Sequence, residues 1–122
     1  MLEDARARLT RLSPQEAASA LAEGAVLVDT RTFEHRRDHG IVPGAIVVSR
    51  NVLEWRVDPT SGYQDPVVAA RRGPLIIMCQ EGYSSSLAAA TLQRLGVADA
   101  TDLVGGFEAW AAAGLPVAFG PY

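Results

Sequence analysis

The sequence predicts an α/β protein whose parallel sheet is covered by helices on both faces. Two observations carry this expectation. Short apolar runs alternate with helix-like stretches along the whole chain, and strands that alternate with helices close into a parallel sheet. The second is residues 74–95, PLIIMCQEGYSSSLAAATLQRL, where an apolar run, a polar turn and an alanine-rich helix follow without a break.

The elements read in order as follows. Residues 1–9 alternate in charge and read as a frayed lead-in, and residues 10–12 as a short, weak strand. Ser13-Pro14-Gln15-Glu16 starts a helix: Ser13 caps, Pro14 takes the first helical position and Glu16 closes a capping box. That helix runs to about Ala22 and stops at Gly24. Residues 25–29, AVLVD, form an apolar strand that ends in an acid. Residues 32–39 read as a short polar helix stopped by Gly40, and residues 42–48 as a turn and then a strand. Residues 51–57 and 67–72 each make a turn of helix around a loop, DPTSGYQDP, at 58–66. After the strand at 74–78, the helix from Ser85 ends at Gly96, and 98–104 give a last strand. Gly105-Gly106 then turn into a helix with Phe107, Trp110 and Ala111 on one face, closed by Gly114 and Pro116.

Composition narrows the function classes. A chain of 122 residues suits one compact domain with a sizeable core. A net charge of −3 argues against a general nucleic-acid binder. No apolar run approaches the ~20 residues of a membrane span. The first residues, MLEDARARLTRL, have no apolar segment of the secretory kind. A single cysteine gives no internal disulfide, no multi-cysteine zinc site and no second thiol within the chain, so a reducing cytoplasm is the simplest home. All 11 basic residues are arginine, which excludes lysine Schiff-base chemistry. The lysine-free, alanine-rich composition suggests a compositional bias of the source genome, and the source is expected to be bacterial.

The candidate nucleophile is that cysteine, Cys79. It stands at the carboxyl end of a strand, at the mouth of a loop feeding a helix N-terminus, where ligands bind in open α/β sheets. Unpaired amides and the helix dipole there favour an anion and lower a thiol pKa. A buried small hydrophobe ending a strand is the plainer alternative. The following Gln80, Glu81, Gly82, Tyr83, Ser84 and Ser85 speak against it.

With these elements in place the chain resembles a single-domain rhodanese, a sulfurtransferase. Asp29-Thr30-Arg31 is similar to the family's Asp-x-Arg, and Val42-Pro43-Gly44-Ala45 to its Ile-Pro-Gly-Ala. Cys79-Gln80-Glu81-Gly82-Tyr83-Ser84 resembles the six-residue active-site loop. Gly105-Gly106-Phe107 to Trp110, then Gly114-Leu115-Pro116-Val117, resembles the closing Gly-Gly-x-x-x-Trp and Gly-x-Pro-Val. The resemblance implies a three-layer α/β/α domain on a five-stranded parallel sheet, residues 1–122 with a core of about 10–117. It implies a Cys79 persulfide that takes sulfane sulfur from a small donor and passes it to cyanide, a small thiol or a protein thiol, without metal or organic cofactor. Gln80, Glu81, Gly82, Tyr83, Ser84 and Ser85 would bind the donor, with Arg31 helping to hold loop or substrate.

The sequence departs from the family pattern in three places. Ser84 stands where many single-domain rhodaneses carry an arginine, as in tandem-domain sulfurtransferases with Ser or Thr there. Glu81 adds a negative charge beside the anion site. Residues 36–42 lack the usual Gly-His before Ile-Pro. The first two predict weak attraction for a dianion such as thiosulfate.

Other readings compete. A cysteine phosphatase or arsenate reductase needs Cys-x5-Arg to clamp a tetrahedral oxyanion, and the sixth position after Cys79 is Ser85. A non-catalytic rhodanese-like binding or regulatory domain would be signalled by loss of the cysteine, which is present. Arg31 has an alternative role in an ion pair with a carboxylate near Asp29. Arg50 and Arg56 are better read as solvated surface, Glu54 and Trp55 as rim or core, and Phe107 and Trp110 as core. His35 and His39 have a metal-binding spacing but no third ligand nearby.

Overall fold

Two runs without a polar interruption, VLV and LIIM, make the centre of the sheet. Strands buried on both faces read as continuous apolar runs rather than alternating ones. In the computed structural model, which describes all 122 residues, they become β1 (Val26–Asp29) and β3 (Leu75–Met78). The two pair in parallel from Val26 opposite Leu75 to Asp29 opposite Met78. β2 (Ile46–Val47) joins the other edge of β1, and β4 (Ala100–Asp102) the other edge of β3, both in parallel. The order is β2-β1-β3-β4.

The sheet therefore has four strands rather than five. The fifth is reduced to a single parallel bridge between Leu12 and Leu103. Leu12 donates to the Asp102 carbonyl at 3.1 Å and accepts from Val104 at 2.9 Å. It cannot lengthen toward the carboxyl side, because Ser13 caps and Pro14 opens α2 (Pro14–Ala22). The capping box forms as the sequence predicts, with Ser13 and Glu16 exchanging bonds of 2.9 and 3.1 Å. The last strand is also shorter than expected, three residues instead of 98–104.

Alternation along β1 and β3 sorts the core into two layers. Val26, Val28, Leu75 and Ile77 face one side, packed by Val57, Val68 and Leu92. Leu27, Ile76 and Met78 face the other, packed by Ala17, Phe107 and Trp110. The first layer is covered by α4 (Leu53–Val57), which follows a 3-10 turn at Arg50–Val52, by α5 (Pro66–Ala69) and by α6 (Ser84–Arg94). The second is covered by α2 and α7 (Gly106–Ala112). α3 (Phe33–His39) connects β1 to β2, capped by the Thr32 hydroxyl. Phe107 and Trp110 are core, as expected, each 3% exposed.

The amino-terminal residues are not frayed. Residues Leu2–Ala7 form a helix, α1, that packs on α6. Ala5 is buried in that contact and Leu9 packs on the first core layer. The charge alternation of residues 1–9 hides this, because the packing face rests on one buried alanine, Ala5, beside half-buried Leu2 and Arg6.

Candidate active site

β1 runs on toward β2 at one side of the sheet, and the chain then crosses over to β3 at the other. The crevice between β1 and β3 is thus the topological switch point, where a doubly wound sheet binds ligands at its carboxyl ends. Asp29 to Thr32 leave β1 there, and Cys79 leaves β3. Together they border a cavity of about 460 Å³ lined by Thr30, Arg31, Thr32, His35, Cys79, Gln80, Glu81, Tyr83 and Ser84. A shallower recess of about 620 Å³ around Arg71 and Asp99 lies at the opposite, amino ends of the strands.

The loop after Cys79 curls over the sulfur. The Gly82 amide donates to Cys79 Sγ at 3.1 Å and the Ser85 amide at 3.4 Å. Gly82 reaches this position at φ +86°, in the left-handed region open to glycine. α6 has no side-chain cap of its own; its N-cap residue is Tyr83. The sulfur receives the first-turn amide that a capping oxygen would otherwise take, so a thiolate at Cys79 caps α6.

Burial pushes the Cys79 thiol up, since the residue is only 7% exposed. Against this act the hydroxyls of Ser85 and Ser84 and the amides of Ser85 and Gly82, which together bring it below its ordinary value. The Ser85 hydroxyl has one hydrogen, and its oxygen lies 2.8 Å from Asp102 Oδ2. In this arrangement that hydrogen serves the carboxylate, so the Gly82 and Ser85 amides are the standing donors to sulfur.

Arg31 holds the loop rather than standing free in the cavity. Its side chain is fully buried and forks onto Asp29, with Nε to Oδ1 at 3.0 Å and Nη2 to Oδ2 at 2.9 Å. Nη2 also donates to the Gly40 carbonyl at 2.8 Å, and Nη1 to Gln80 Oε1 at 3.0 Å. The guanidinium lies 4.0 Å over the Phe107 ring. Gln80, itself buried, donates onward to Glu108 at 3.3 Å. The ion pair with Asp29 and the hold on the loop are therefore both present.

Glu81, Tyr83 and Ser84 are exposed at the rim, whereas Gly82 and Ser85 are buried beneath it. His35 lines the same mouth, its ring 6.1 Å from that of His39. Arg50 pairs with Glu54 at 2.9 Å, and Arg56 donates to the Tyr63 carbonyl at 2.8 Å. Both turn to their own neighbours and not to Cys79. Trp55 stacks on Tyr63 at the surface, 4.4 Å between rings.

Four polar residues outside the predicted set meet behind the loop: Arg6, Arg11, Ser86 and Asp102. Asp102 is fully buried and is bonded by Arg11 Nε at 2.8 Å, the Ser85 hydroxyl at 2.8 Å and the Ser86 hydroxyl at 2.7 Å. An acid inside the strand expected at 98–104 is the one signal available in the sequence, because a carboxylate that the sheet buries needs partners. The arginines sit in a stretch that gives no such signal.

Fold and crevice define a doubly wound α/β domain that offers one amide-cradled thiol at its switch point. The chain belongs to the rhodanese-like domain family, whose family model matches residues 13–113. It is 36% identical over 102 residues to the thiosulfate sulfurtransferase GlpE of Ectopseudomonas mendocina, covering 84% of each chain. To the GlpE of Stutzerimonas stutzeri it is 35% identical over 101 residues, covering 82% of this chain and 83% of that one. The human single-domain sulfurtransferase TSTD1 superposes with a TM-score of 0.68 at 25% identity, over 84% of this chain and 95% of that one. RPA3614 of Rhodopseudomonas palustris, of unknown function and described as a possible tyrosine phosphatase, superposes with a TM-score of 0.86 at 31% identity. That match covers 96% of this chain and 90% of RPA3614.

Proposed function

We propose that this chain is a rhodanese-type sulfurtransferase that carries sulfane sulfur on Cys79. The observation that carries the reading is the pair of amides, from Gly82 and Ser85, aimed at Cys79 Sγ at 3.1 and 3.4 Å. The family and the sulfurtransferases among its relatives support it.

In the first half-reaction the Cys79 thiolate attacks the outer sulfur of the donor. A sulfur–sulfur or carbon–sulfur bond breaks, and the leaving group departs with the electron pair; for thiosulfate it is sulfite. The product is a Cys79 persulfide, whose terminal sulfur is anionic. In the second, cyanide or an acceptor thiolate attacks that terminal sulfur, the Sγ–S bond breaks and its electrons return to Cys79. Atoms and electrons balance with no metal or organic cofactor. The amides that favour the thiolate also favour the developing charge on the sulfur pair. Gln80, Glu81, Gly82, Tyr83, Ser84 and Ser85 form the donor-binding wall, and Arg31 keeps Gln80 in place. A protein thiol is a further acceptor class.

The three layers from α1 to α7 work as one catalytic domain over residues 1–122. The proposed setting is the cytoplasm of a bacterium, on the ground of one free thiol and bacterial relatives such as those above. No helix is long and apolar enough to cross a membrane.

A cysteine phosphatase is the competing reading. It would require an arginine at the position of Ser85, whose hydroxyl instead bonds buried Asp102. No side-chain cation stands in the loop from Gln80 to Ser86 to clamp a tetrahedral oxyanion. A non-catalytic binding role leaves the two amides aimed at Cys79 Sγ unexplained.

Intact mass after incubation with a panel of sulfur donors tests the proposal. A gain of one sulfur atom, removed by a thiol reductant and absent in Cys79→Ser, is the expected result. No gain with any donor, together with turnover of p-nitrophenyl phosphate, would move the assignment to the phosphatase class.

A further inference from the structure

Residues 1–12 precede the stretch matched by the family model, 13–113, yet two of their arginines reach the loop that carries Cys79. Arg6 projects from α1, which α6 holds in place. Its Nη2 donates to the Gly82 carbonyl at 2.9 Å and its Nε to the Ser86 hydroxyl at 3.1 Å. Arg11 donates to Asp102 from Nε at 2.8 Å and from Nη2 at 3.2 Å, and its Nη2 lies 3.4 Å from the same Gly82 carbonyl. Two guanidinium groups thus converge on one carbonyl.

That carbonyl belongs to the residue whose amide donates to Cys79 Sγ. The two groups sit on opposite sides of a glycine α-carbon, the residue type least able to fix its own backbone. Turned the other way, the carbonyl would bring the negative end of its dipole toward the sulfur. The arginines hold it inward. Their two charges against that of Asp102 leave one positive charge behind a loop that has no cation from Gln80 to Ser86.

We propose that Arg6, assisted by Arg11, is the positioning residue of this site: it anchors the Gly82 carbonyl away from Cys79 and supplies from behind the positive charge that the loop lacks. The inference rests on Cys79 being the nucleophile. Its test reads the thiol directly, so its failure leaves the sulfur-transfer assignment standing on the mass experiment. The titratable and charged groups that face the loop are Glu81 on it, Asp29, Arg31 and His35 on the β1–α3 side, Arg6, Arg11 and Asp102 behind it, and Glu108 on α7. Only Arg6 comes from α1.

The experiment measures the pH dependence of Cys79 alkylation by iodoacetamide in the full chain, beside its thermal midpoint. Arg6→Gln is expected to raise the alkylation midpoint by about half a pH unit, about threefold less thiolate at neutral pH. Arg6→Lys should retain most of the wild-type position, because it keeps the charge. Arg8→Gln, at the exposed C-cap of α1, should match wild type. Where Arg6→Gln does not fold, Arg6→Met retains the packing of the stem and reads the same midpoint. A wild-type midpoint in the neutral Arg6 variant, whatever its melting temperature, overturns the proposal. So does an equal shift in Arg8→Gln, which would reduce the effect to overall charge.

Discussion

Gly82 and Gly106 pack backbone against backbone. A β-carbon on Gly106 would lie 2.7 Å from the Gly82 nitrogen and 2.5 Å from the Cys79 carbonyl oxygen. One on Gly82 would lie 3.1 Å from the Gly106 nitrogen. The turn that starts α7 therefore forms the floor of the Cys79 loop, and the Gly82 amide that meets the sulfur rests on it. The Phe107 and Glu108 amides complete the contact, donating to the carbonyls of Cys79 and Gln80 at 2.9 and 3.1 Å.

Gly106→Ala should lower stability and thiol reactivity together. Its φ of +63° strains any side chain by about 1–2 kcal/mol, and the contact with the Cys79 carbonyl adds to that. Urea denaturation should show a loss of at least about 2 kcal/mol, and alkylation at neutral pH should slow. Unchanged alkylation in the folded variant would mean the loop keeps its shape without this floor.

Cys79→Ser should abolish sulfur transfer while the domain stays folded. Serine is nearly isosteric and its oxygen accepts from the same two amides, but it is not ionised at neutral pH. Wild-type turnover in a correctly folded variant, by thiocyanate formation or acceptor persulfidation, would remove Cys79 from the mechanism.

The lowered thiol pKa has two consequences. The alkylation midpoint should lie below the free-thiol value of ~8.5. For stability, a folded-state pKa below the unfolded one makes a contribution that is full above the unfolded pKa and lost as pH falls through the folded one. The stability advantage of wild type over Cys79→Ser should therefore be larger near pH ~9 than near pH ~6. A constant gap across that range would contradict the thiolate cap on α6.

Asp29→Asn should act on folding before it acts on donor affinity. It leaves the Arg31 guanidinium buried with half its fork lost, a change of about 3–5 kcal/mol where one partner of a buried pair is removed. Chemical denaturation measures it. A loss under about 1 kcal/mol with a raised donor KM would make Arg31 a substrate clamp instead.

Charge at the rim should select the donor. Glu81 is exposed at the mouth, and no cation stands between Gln80 and Ser86. Thiosulfate should serve less well than 3-mercaptopyruvate or a small persulfide. Glu81→Gln should raise kcat/KM for thiosulfate by about threefold to tenfold, given screening at the surface. Ser84→Arg should raise it further, because it adds a bidentate cation. A wild type that already prefers thiosulfate, or no gain from either change, would separate donor choice from loop charge.

The sequence by itself determined the parallel sheet, the capped start of α2, the place of Cys79 at a strand end and the glycine turn before α7. These are local: apolar runs, caps, turn residues and the motif spacing of the rhodanese-like family lie within reach of one stretch of chain. It also pointed to the ion pair of Arg31, since Asp29 is two residues away, while the hold on Gln80 is a distant contact that the family resemblance implied. Tertiary structure decided what comes from a distance. The fifth strand shrank to Leu12 because the cap of α2 occupies the next residue. Residues 2–7 became a helix because α6 offers a face on which Ala5 is buried, with Leu9 packing partly buried just beyond. Arg6, Arg11, Ser86 and Asp102 meet under the loop from three separate segments. Asp102 alone gives a signal, as an acid in a strand that the sheet buries; periodicity cannot announce the meeting, because Arg6, Arg11 and Ser86 are each compatible with solvent and only burial forces them to pair.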